Sequence, residues 1–442
     1  MSRFLCGPCG PSWRSRGPGA LALVFVFVLG LSVPMGLRAQ APSGIDRSAA
    51  MSAALQRSGL LKALQAETRA AREMAVAAAQ RPDPVLRLSL DNLPVNGADR
   101  WRTTRDFMTM RSIGIAQALP GRDKREARAR WYEREAQAAH ARHREQATEV
   151  LRLTSVAWFA LRAAQQRLGL LAAQRESLQR QVLAAEAAAR SGRGTPSDLL
   201  AARDALWRLE QLRIEADARE RVARQALERW TGVQGQITLG EPPRLDEAAW
   251  VEEPSRRWLD EHPAVQALQA RAEVARAAAD LAHLERDPDW SVELMLSQRG
   301  SAYSDMLSVG VSIPLASNRA RRQDRELSAR LAEADARDAE VDEARRVSEL
   351  EIAEWQQALA AALAQLELID RERLPLARQR VVASMAAYRA GTLSLRELLA
   401  AQEAAVVLSI ERIDVELDAA RPWSALDALR STTPAASNTQ AR

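Results

Sequence analysis

The sequence predicts a mainly α-helical protein that also contains two β-hairpins and is built by duplication of one structural unit. Long segments rich in Ala, Leu, Glu and Arg, with little proline, predict long helices. Four short segments instead alternate apolar and polar residues, which is typical of β-strands. The clearest sign of duplication is a glycine break that occurs twice, as RSGRGTPSDLLAA (190–202) and RAGTLSLRELLAA (389–401).

Residues 1–39 are predicted to be a secretory signal peptide. A basic start precedes the apolar run ALALVFVFVLGLSVP (20–34), and the small residue Ala39 suits cleavage after it. The run is short for a membrane-spanning helix. Both cysteines lie in this segment, so the mature chain has no disulfide and no thiolate metal site. The segment also holds four arginines and no acid, so its removal lowers the formal net charge from +5 to +1, which argues against nucleic-acid binding.

The first repeat is predicted to span residues 40–231. Its first helix, at 48–80, ends at the sequence R-P-D-P. A β-hairpin is predicted at about 85–119, because LRLSL and IGIAQAL both alternate. A long helical hairpin follows at about 121–231, and the sequence Gly192–Pro196 forms its turn.

The second repeat is predicted to span residues 261–420, after an equatorial connector at 232–260 that is rich in proline and glycine. Its β-hairpin is expected at about 290–315, and its long helical hairpin at about 319–420. The tail, 421–442, has a polar end and is predicted to be flexible.

The two repeats align at three places. PDPVLRLSL matches PDWSVELML, IGIAQAL matches VGVSIPL, and the two glycine turns match each other. The sequence therefore predicts a duplicated unit of helix, β-hairpin, long helix, turn and helix.

The predicted strands have the length and the apolar faces of membrane-crossing strands. Strands of about ten residues cross a bilayer at a tilt. An open four-stranded sheet cannot lie in lipid, because its edge N–H and C=O groups would be unpaired. Several copies would therefore combine to close one barrel, with the helices projecting from it. The other possibility is that the hairpins cover a soluble coiled coil.

The sequence resembles the TolC family of outer-membrane efflux proteins over the whole mature length. The duplicated turn R-[SA]-G…[DE]-L-L-A-A supports the family, and DNLPVNGADRWRTTRDFMTMRSIGIAQALPGRDKREAR (91–128) resembles its heavy-metal-resistance branch. The resemblance implies a homotrimer with a 12-stranded transmembrane β-barrel on a 12-helix periplasmic α-barrel. It also implies a periplasmic adaptor and an inner-membrane pump as partners, outer-membrane lipid around the barrel, and passive export of a substrate such as a heavy-metal cation.

The resemblance also assigns roles to residues at the two turns. It implies adaptor docking by six positions: Gly192, Thr195, Pro196, Gly391, Thr392 and Leu393. Glu397 takes the position of an acid that can line a closed pore gate, and Asp198 is its counterpart in the first repeat and the second gate candidate. A second acid that the family often has three residues later is absent, because Ala400 stands there. The glycines could equally serve only the turns, and the acids could be ordinary first-turn carboxylates that interact with a helix dipole.

The residues indicate no enzyme, cofactor or resident metal. His140 and His143 lie one helical turn apart, and Met108 and Met110 could share a strand face, but neither pair has a third ligand in the sequence. No phosphate loop or nucleophile–base motif is present. The competing function is that of a soluble periplasmic coiled-coil adaptor or scaffold. The transported substrate and the cognate pump cannot be read from the sequence.

Overall fold

The computed structural model describes residues 44–246, 259 and 261–432. The predicted signal peptide, the second half of the connector and the last ten residues of the chain lie outside the described residues.

The prediction of a mainly helical chain is confirmed. The first repeat contains two short helices, a hairpin and two long helices: α1 (Arg47–Arg57), α2 (Gly59–Ala79), β1 (Val85–Asp91), β2 (Met110–Leu119), α3 (Arg122–Arg190) and α4 (Pro196–Thr231). The second repeat follows the same order: α5 (Pro263–Glu285), β3 (Trp290–Gln298), β4 (Met306–Ser312), a 3₁₀ turn (Arg319–Arg321), α6 (Gln323–Leu368), a π-helical segment (Ile369–Arg373), α7 (Leu374–Arg389) and α8 (Leu395–Thr432). Among the described residues, none of the helices is both long enough and apolar enough to cross a bilayer.

The four strands form one antiparallel sheet in the order β1-β2-β3-β4. The two hairpins join through β2 and β3, where Ile113 lies opposite Leu296 and Ile115 lies opposite Leu294. Within the described part of the chain, strands β1 and β4 each have a partner on one side only. The sheet is therefore open at both edges.

The register of the sheet separates two chemically different faces. Residues of alternate positions share a face, and one face is apolar from β1 to β4: Leu86, Leu88, Ile113, Ile115, Val292, Leu294, Leu296, Leu307, Val309 and Val311. The opposite face is mostly small or polar: Arg87, Ser89, Asp91, Ser112, Gly114, Ser291, Glu293, Ser297, Ser308, Gly310 and Ser312. The apolar side chains are largely uncovered, and Val309 is 74% exposed.

The helices pack side by side in a sheet-like arrangement that is one helix thick. Helix α3 is the longest helix and lies at the centre of this arrangement. It has 69 residues, no proline and one glycine, so it runs without a break for about 100 Å. It contacts α2 and α5 towards the strands, and α4 and α8 towards the turns. Helix α6 packs against α5 and α8, and α7 packs against α8, on the sides of α5 and α8 that face away from α3. The edges are therefore α2 and α4 on one side, and α6 and α7 on the other.

The main core lies midway along α3, where the start of the connector and the two ends of the described chain meet it. Trp158, Leu161 and Leu227 are fully buried there together with Leu359 and Leu426. The indole N–H of Trp158 donates to a backbone carbonyl near the start of the described chain, with 2.9 Å between the two atoms. Burial of such large side chains stabilises the fold by about 2–3 kcal/mol each.

The outgoing arm of the long helical hairpin predicted at about 319–420 is not one continuous α-helix. It is interrupted by the π-helical segment Ile369–Arg373, which ends two residues before Pro375. Proline lacks the N–H that an α-helix needs, and its ring collides with the carbonyl four residues earlier. A widened turn relieves this collision, and π-segments of this kind are common sites of local adjustment.

The prediction that the chain is flexible from residue 421 is also wrong. Helix α8 continues to Thr432, and Trp423, Leu426 and Leu429 are buried at 5%, 0% and 6% exposure. These three side chains are spaced at intervals of three, so they lie on one helix face. The prediction gave more weight to the polar residues that follow than to this short apolar repeat.

The two ends of the described chain are held together by a buried ion pair. Arg47 of α1 contacts Asp427 of α8, with 2.9 Å between Nη1 and Oδ2, and the two side chains are 15% and 4% exposed. The Arg47 guanidinium also lies over the Trp423 ring at 4.7 Å and donates to Ser155 Oγ of α3 at 3.3 Å. Because breaking a buried pair leaves one charge without its partner, this contact fixes the end of α8 to the core.

A second cross-repeat contact lies at the junction of helices and strands. Lys124, near the start of α3, donates its ammonium to Asp289 Oδ1 at 2.6 Å and to the carbonyl oxygen of Asp287. Both partners precede β3, and the Lys124 side chain is only 10% exposed. Lys124 therefore connects the first repeat to the second.

Replacement of Lys124 by alanine is expected to destabilise this junction by about 1–3 kcal/mol, because the acceptors from Asp287 and Asp289 lose a charged donor. The measurement is heat unfolding of the detergent-purified protein. Lys62 is the only other lysine of the chain, and it is exposed on α2. Lys62→Ala is the matched control and should change stability by less than about 0.5 kcal/mol. Equal stabilities of the two variants would contradict the role of Lys124.

Candidate functional site

The candidate site is the pair of turns at the end of the helices farthest from the strands, here called the tip. It consists of residues 191–198, between α3 and α4, and residues 390–397, between α7 and α8. Each position in the first turn has its equivalent 199 residues later, as in the sequence alignment.

Both turns use a glycine in the left-handed region to end the outgoing helix. Gly192 has φ +71° and Gly391 has φ +78°. The residue after each glycine donates its N–H to a helix carbonyl: Arg193 to Ala188 and Thr392 to Ala387, both at 3.0 Å. A side chain at either glycine would strain this backbone, so the turn alone is sufficient reason for glycine here.

Both returning helices begin with the same reciprocal capping arrangement. The Asp198 N–H donates to Thr195 Oγ1 at 3.2 Å, and Asp198 Oδ2 accepts from the Thr195 N–H and hydroxyl at 3.3 and 2.7 Å. The Glu397 N–H donates to Ser394 Oγ at 3.3 Å, and Glu397 Oε2 accepts from the Ser394 N–H and hydroxyl at 3.0 and 2.7 Å. These are capping boxes, which satisfy helix N–H groups that otherwise lack partners.

The two predicted gate acids therefore have a local structural role within one chain. Hydrogen bonds from the Ser394 hydroxyl and then from its backbone N–H lower the pKa of Glu397, so this carboxylate is charged at neutral pH. Glu397 is exposed, and Asp198 is partly exposed. A capping carboxylate can still present its second oxygen to solvent, so the capping role leaves a pore role open.

The six predicted docking residues all lie at the tip, and most are accessible. Gly192, Thr195, Pro196, Gly391 and Thr392 are exposed, whereas Leu393 is partly buried. Pro196 opens α4, and the Thr392 hydroxyl donates to the Ala387 carbonyl at 3.0 Å. Sequence reasoning missed Ser394, although the sequence S-L-R-E before an apolar run fits the capping-box pattern.

The two turns lie next to each other within one chain. An open groove runs between α4 and α8 near the tip, and four charged residues are among those that line it: Asp204, Arg208, Arg396 and Glu403. Beneath it, Leu395 and Leu398 of α8 are buried with Ala202 of α4. Gln181 of α3 also donates to Gln402 of α8, with 2.8 Å between Nε2 and Oε1. This packing holds the two turns side by side as one surface.

The histidine and methionine pairs do not form a metal site in the described part of the chain. The His140 and His143 rings are stacked 6.5 Å apart, and His143 Nε2 lies 3.1 Å from Gln65 Nε2. Met108 lies before the start of β2, so it does not share a strand face with Met110. Among the described residues, no group of three His, Cys, Asp or Glu side chains could hold a metal ion.

The fold is similar to that of several solved membrane channels. The outer-membrane channel OprN superimposes with a TM-score of 0.73 at 19% identity, over 87% of this chain and 89% of OprN. CusC, a protein that forms a transmembrane channel, gives 0.72 at 17% identity over 87% and 92%. The outer-membrane channel CmeC of Campylobacter jejuni gives 0.74 at 13% identity over 88% and 86%. At these identities the likeness shows the fold.

No protein-family model matches the chain. No curated protein sequence matches it either.

Proposed function

We propose that this chain is the outer-membrane exit duct of a tripartite efflux system and a member of the TolC family. The observation that most supports this is the sheet with one continuous apolar face and one polar face. An exposed apolar face of this size on a soluble protein would promote aggregation. In a membrane it would contact lipid, while the polar face would line water. The similarity in fold to three solved channels, which extends over 87–88% of this chain, supports the same conclusion.

The open edges support closure by several copies of the chain. Backbone groups on β1 and β4 need partners in lipid, and β1 of one copy can pair with β4 of the next. In its described part each chain has four strands, and at any level along its length it has four helices side by side. Three copies would then give the 12-stranded β-barrel and the 12-helix α-barrel of a homotrimer. The duct would be passive, with the helices in the periplasm and the tip facing a pump.

The tip is proposed to dock a periplasmic adaptor through Gly192, Thr195, Pro196, Gly391, Thr392 and Leu393. Its support is the side-by-side placement of the two turns, which present their exposed residues as one surface. The adaptor would connect the duct to an inner-membrane pump.

A heavy-metal cation is the proposed substrate, and its support is the resemblance of residues 91–128 to the metal-resistance branch. The fold is equally similar to OprN and to CusC, so it does not favour one branch. The test is a sensitivity panel of metals and organic compounds on a strain that lacks this gene. Sensitivity to metals alone is expected, and sensitivity to organic compounds alone would contradict the metal assignment.

The duct itself is tested by fractionation and conductance. The protein is expected in the outer-membrane fraction and in detergent-dependent form, and it should give ion-conducting pores in planar bilayers. Recovery as a detergent-independent periplasmic protein would instead favour the soluble adaptor or scaffold.

For the gate, Glu397→Gln is expected to weaken the block of single-channel conductance by divalent cations, because each copy would lose one charge from a ring at the pore. Ser394→Ala removes the hydroxyl that caps the same helix but keeps the carboxylate. It is the matched control for a purely structural effect and should cost about 1 kcal/mol of stability. If Glu397→Gln leaves block unchanged, Glu397 serves only as a cap.

A further inference from the structure

The end of the sheet opposite the helices carries a concentration of arginine and aromatic side chains, here called the rim. The rim consists of residues 92–109, residues 299–305, and the last pair on the apolar face, Arg111 and Gln298. Arg111 Nη2 donates to Gln298 Oε1 at 3.0 Å. Along the apolar face, the level of Leu88, Ile113 and Leu296 is followed directly by this polar pair. On β2 and β3 the apolar face therefore ends at this polar pair, and Leu90 of β1 lies opposite Arg111.

The first rim loop holds an exposed tryptophan in an unfavourable backbone conformation. Trp101 has φ +60° and is 58% exposed. The backbone N–H of Trp101 donates to the Pro94 carbonyl at 2.8 Å, and this hydrogen bond stabilises the conformation. Left-handed backbone is uncommon for a bulky residue, and its persistence at an exposed side chain points to a role in recognition. Phe107, at 56% exposure, adds a second uncovered aromatic ring to the same loop.

Two arginines flank this tryptophan without a carboxylate partner among the described residues. Arg100 stacks its guanidinium 5.8 Å from the centre of the Trp101 ring. Arg102 is exposed, and no carboxylate of the described residues lies within 4.0 Å of it or of Arg100. Exposed guanidinium groups without an anionic partner are suited to bind anions in a bidentate manner.

Three acids in or next to the first rim loop have partners other than Arg100 and Arg102. Asp91 lies on the polar face and accepts from the Ser112 hydroxyl at 3.1 Å. Asp99 pairs with Arg105 at 3.7 Å, and Asp106 accepts from the Thr109 hydroxyl at 3.4 Å. Asp305 in the second rim loop is exposed. The Arg100–Arg102 segment therefore keeps its positive charge.

The second rim loop repeats the pairing of arginine and aromatic ring. Arg299 lies 5.5 Å from the centre of the Tyr303 ring, and its Nη2 donates to the Ser304 carbonyl at 3.4 Å. Its Nε atom is buried without a hydrogen-bond partner. Aromatic rings prefer the boundary between lipid and water, and arginines next to them interact with anionic headgroups.

We infer that the rim binds phosphate groups of an anionic lipid in the leaflet around the far end of the sheet. This inference rests on the proposed membrane duct. Trp101 and Phe107 would enter the boundary layer of the leaflet, while Arg100 and Arg102 bind phosphate oxygens. The rim would then set the depth of the sheet in the membrane.

The test uses the full-length protein purified in detergent and titrated with bis-phosphorylated lipid A, with phosphate-free lipid A, or with inorganic phosphate. The readout is the midpoint of heat unfolding. We expect stabilisation by the bis-phosphorylated lipid only. Arg100→Gln combined with Arg102→Gln should weaken that binding about thirtyfold, which corresponds to about 1 kcal/mol for each arginine. The double change to lysine keeps both charges but loses the bidentate geometry, so it should bind this lipid more weakly than the wild type and more tightly than the glutamine variant.

The matched control is Arg69→Gln with Arg72→Gln, two exposed arginines on α2. It should bind the lipid like the wild type. Equal stabilisation by phosphate-free lipid, or unchanged lipid binding in the Arg100/Arg102 glutamine variant, would overturn the inference. A glutamine variant that alters conductance but not lipid binding would assign the rim to contacts between copies at the pore mouth and also overturn it. Pore formation in bilayers without lipid A is measured separately, so failure of the duct is distinguishable from failure of the rim.

Discussion

A chain that ends at Ala420 is expected not to fold, because it lacks the last turns of α8, which a chain that ends at Thr432 retains. The shorter chain loses Trp423 and Leu426, which are 5% and 0% exposed in the main core. Their burial contributes about 2–3 kcal/mol each. Arg47 would also lose Asp427, which costs about 3–5 kcal/mol for a buried pair. The sum is comparable to the whole stability of a typical domain.

The measurement is the yield of heat-stable protein in the membrane fraction for the two truncations. A single substitution separates the ion pair from the packing: Asp427→Ala is expected to destabilise strongly. Its control is Asp418→Ala on the same helix, because Asp418 pairs with Arg421 while both side chains are more than half exposed. Exposed pairs contribute about 0–1 kcal/mol. Normal accumulation of the chain that ends at Ala420 would show that the end of α8 is dispensable.

Much of the fold follows from patterns that are local in the sequence. The alternation in LRLSL and WSVELML defines which side chains share a face, and the structure places Leu88 and Leu294 on the same apolar face. The absence of proline from 122 to 190, together with the Ala-, Leu-, Glu- and Arg-rich composition of this segment, predicts α3. These predictions succeed because side-chain periodicity and proline act within a few residues of the chain.

What the sequence could not reveal depends on contacts between distant segments. Trp423 is buried because α1 and α3 cover it, and no local pattern states that Arg47 and Asp427 meet across the chain. Pro375 was visible in the sequence, but the π-helical segment that precedes it was not. At the tip, the shared acids suggested a gate, whereas the capping hydroxyls of Thr195 and Ser394 gave them an additional local role.

The two lateral edges of the molecule both expose groups that another copy of the chain could cover. The strand edges offer unpaired backbone groups, and the helix edges offer apolar side chains. On α4, exposed apolar side chains recur as a stripe with a spacing of seven residues: Leu200, which also lines the groove towards α8, Trp207 and Ile214. On the other edge, Leu376 and Val382 of α7 are 67% and 70% exposed. A ring of copies would bring the α4 edge of one against the α7 edge of the next.

Replacement of Trp207 by glutamate is therefore expected to dissociate the proposed trimer. Trp207 is 69% exposed at the middle of the α4 stripe, although large aromatic side chains are usually covered. A charge there would have to be buried at each of the contacts between copies, at a cost of about 3 kcal/mol or more per contact. The measurement is the mass of the detergent-purified protein by light scattering, where we expect monomer for the variant and trimer for the wild type.

The matched control for Trp207→Glu is Val407→Glu. Val407 is also apolar and 55% exposed, but it lies on α8, which has neighbours on both sides. A glutamate at this position should leave the oligomer intact, because the exposed face of an inner helix does not meet another copy. Val382→Glu on α7 should dissociate the trimer as Trp207→Glu does, since it lies on the opposite edge. An intact trimer for both edge variants would show that the copies associate through another surface, and the ring order of α4 against α7 would be wrong.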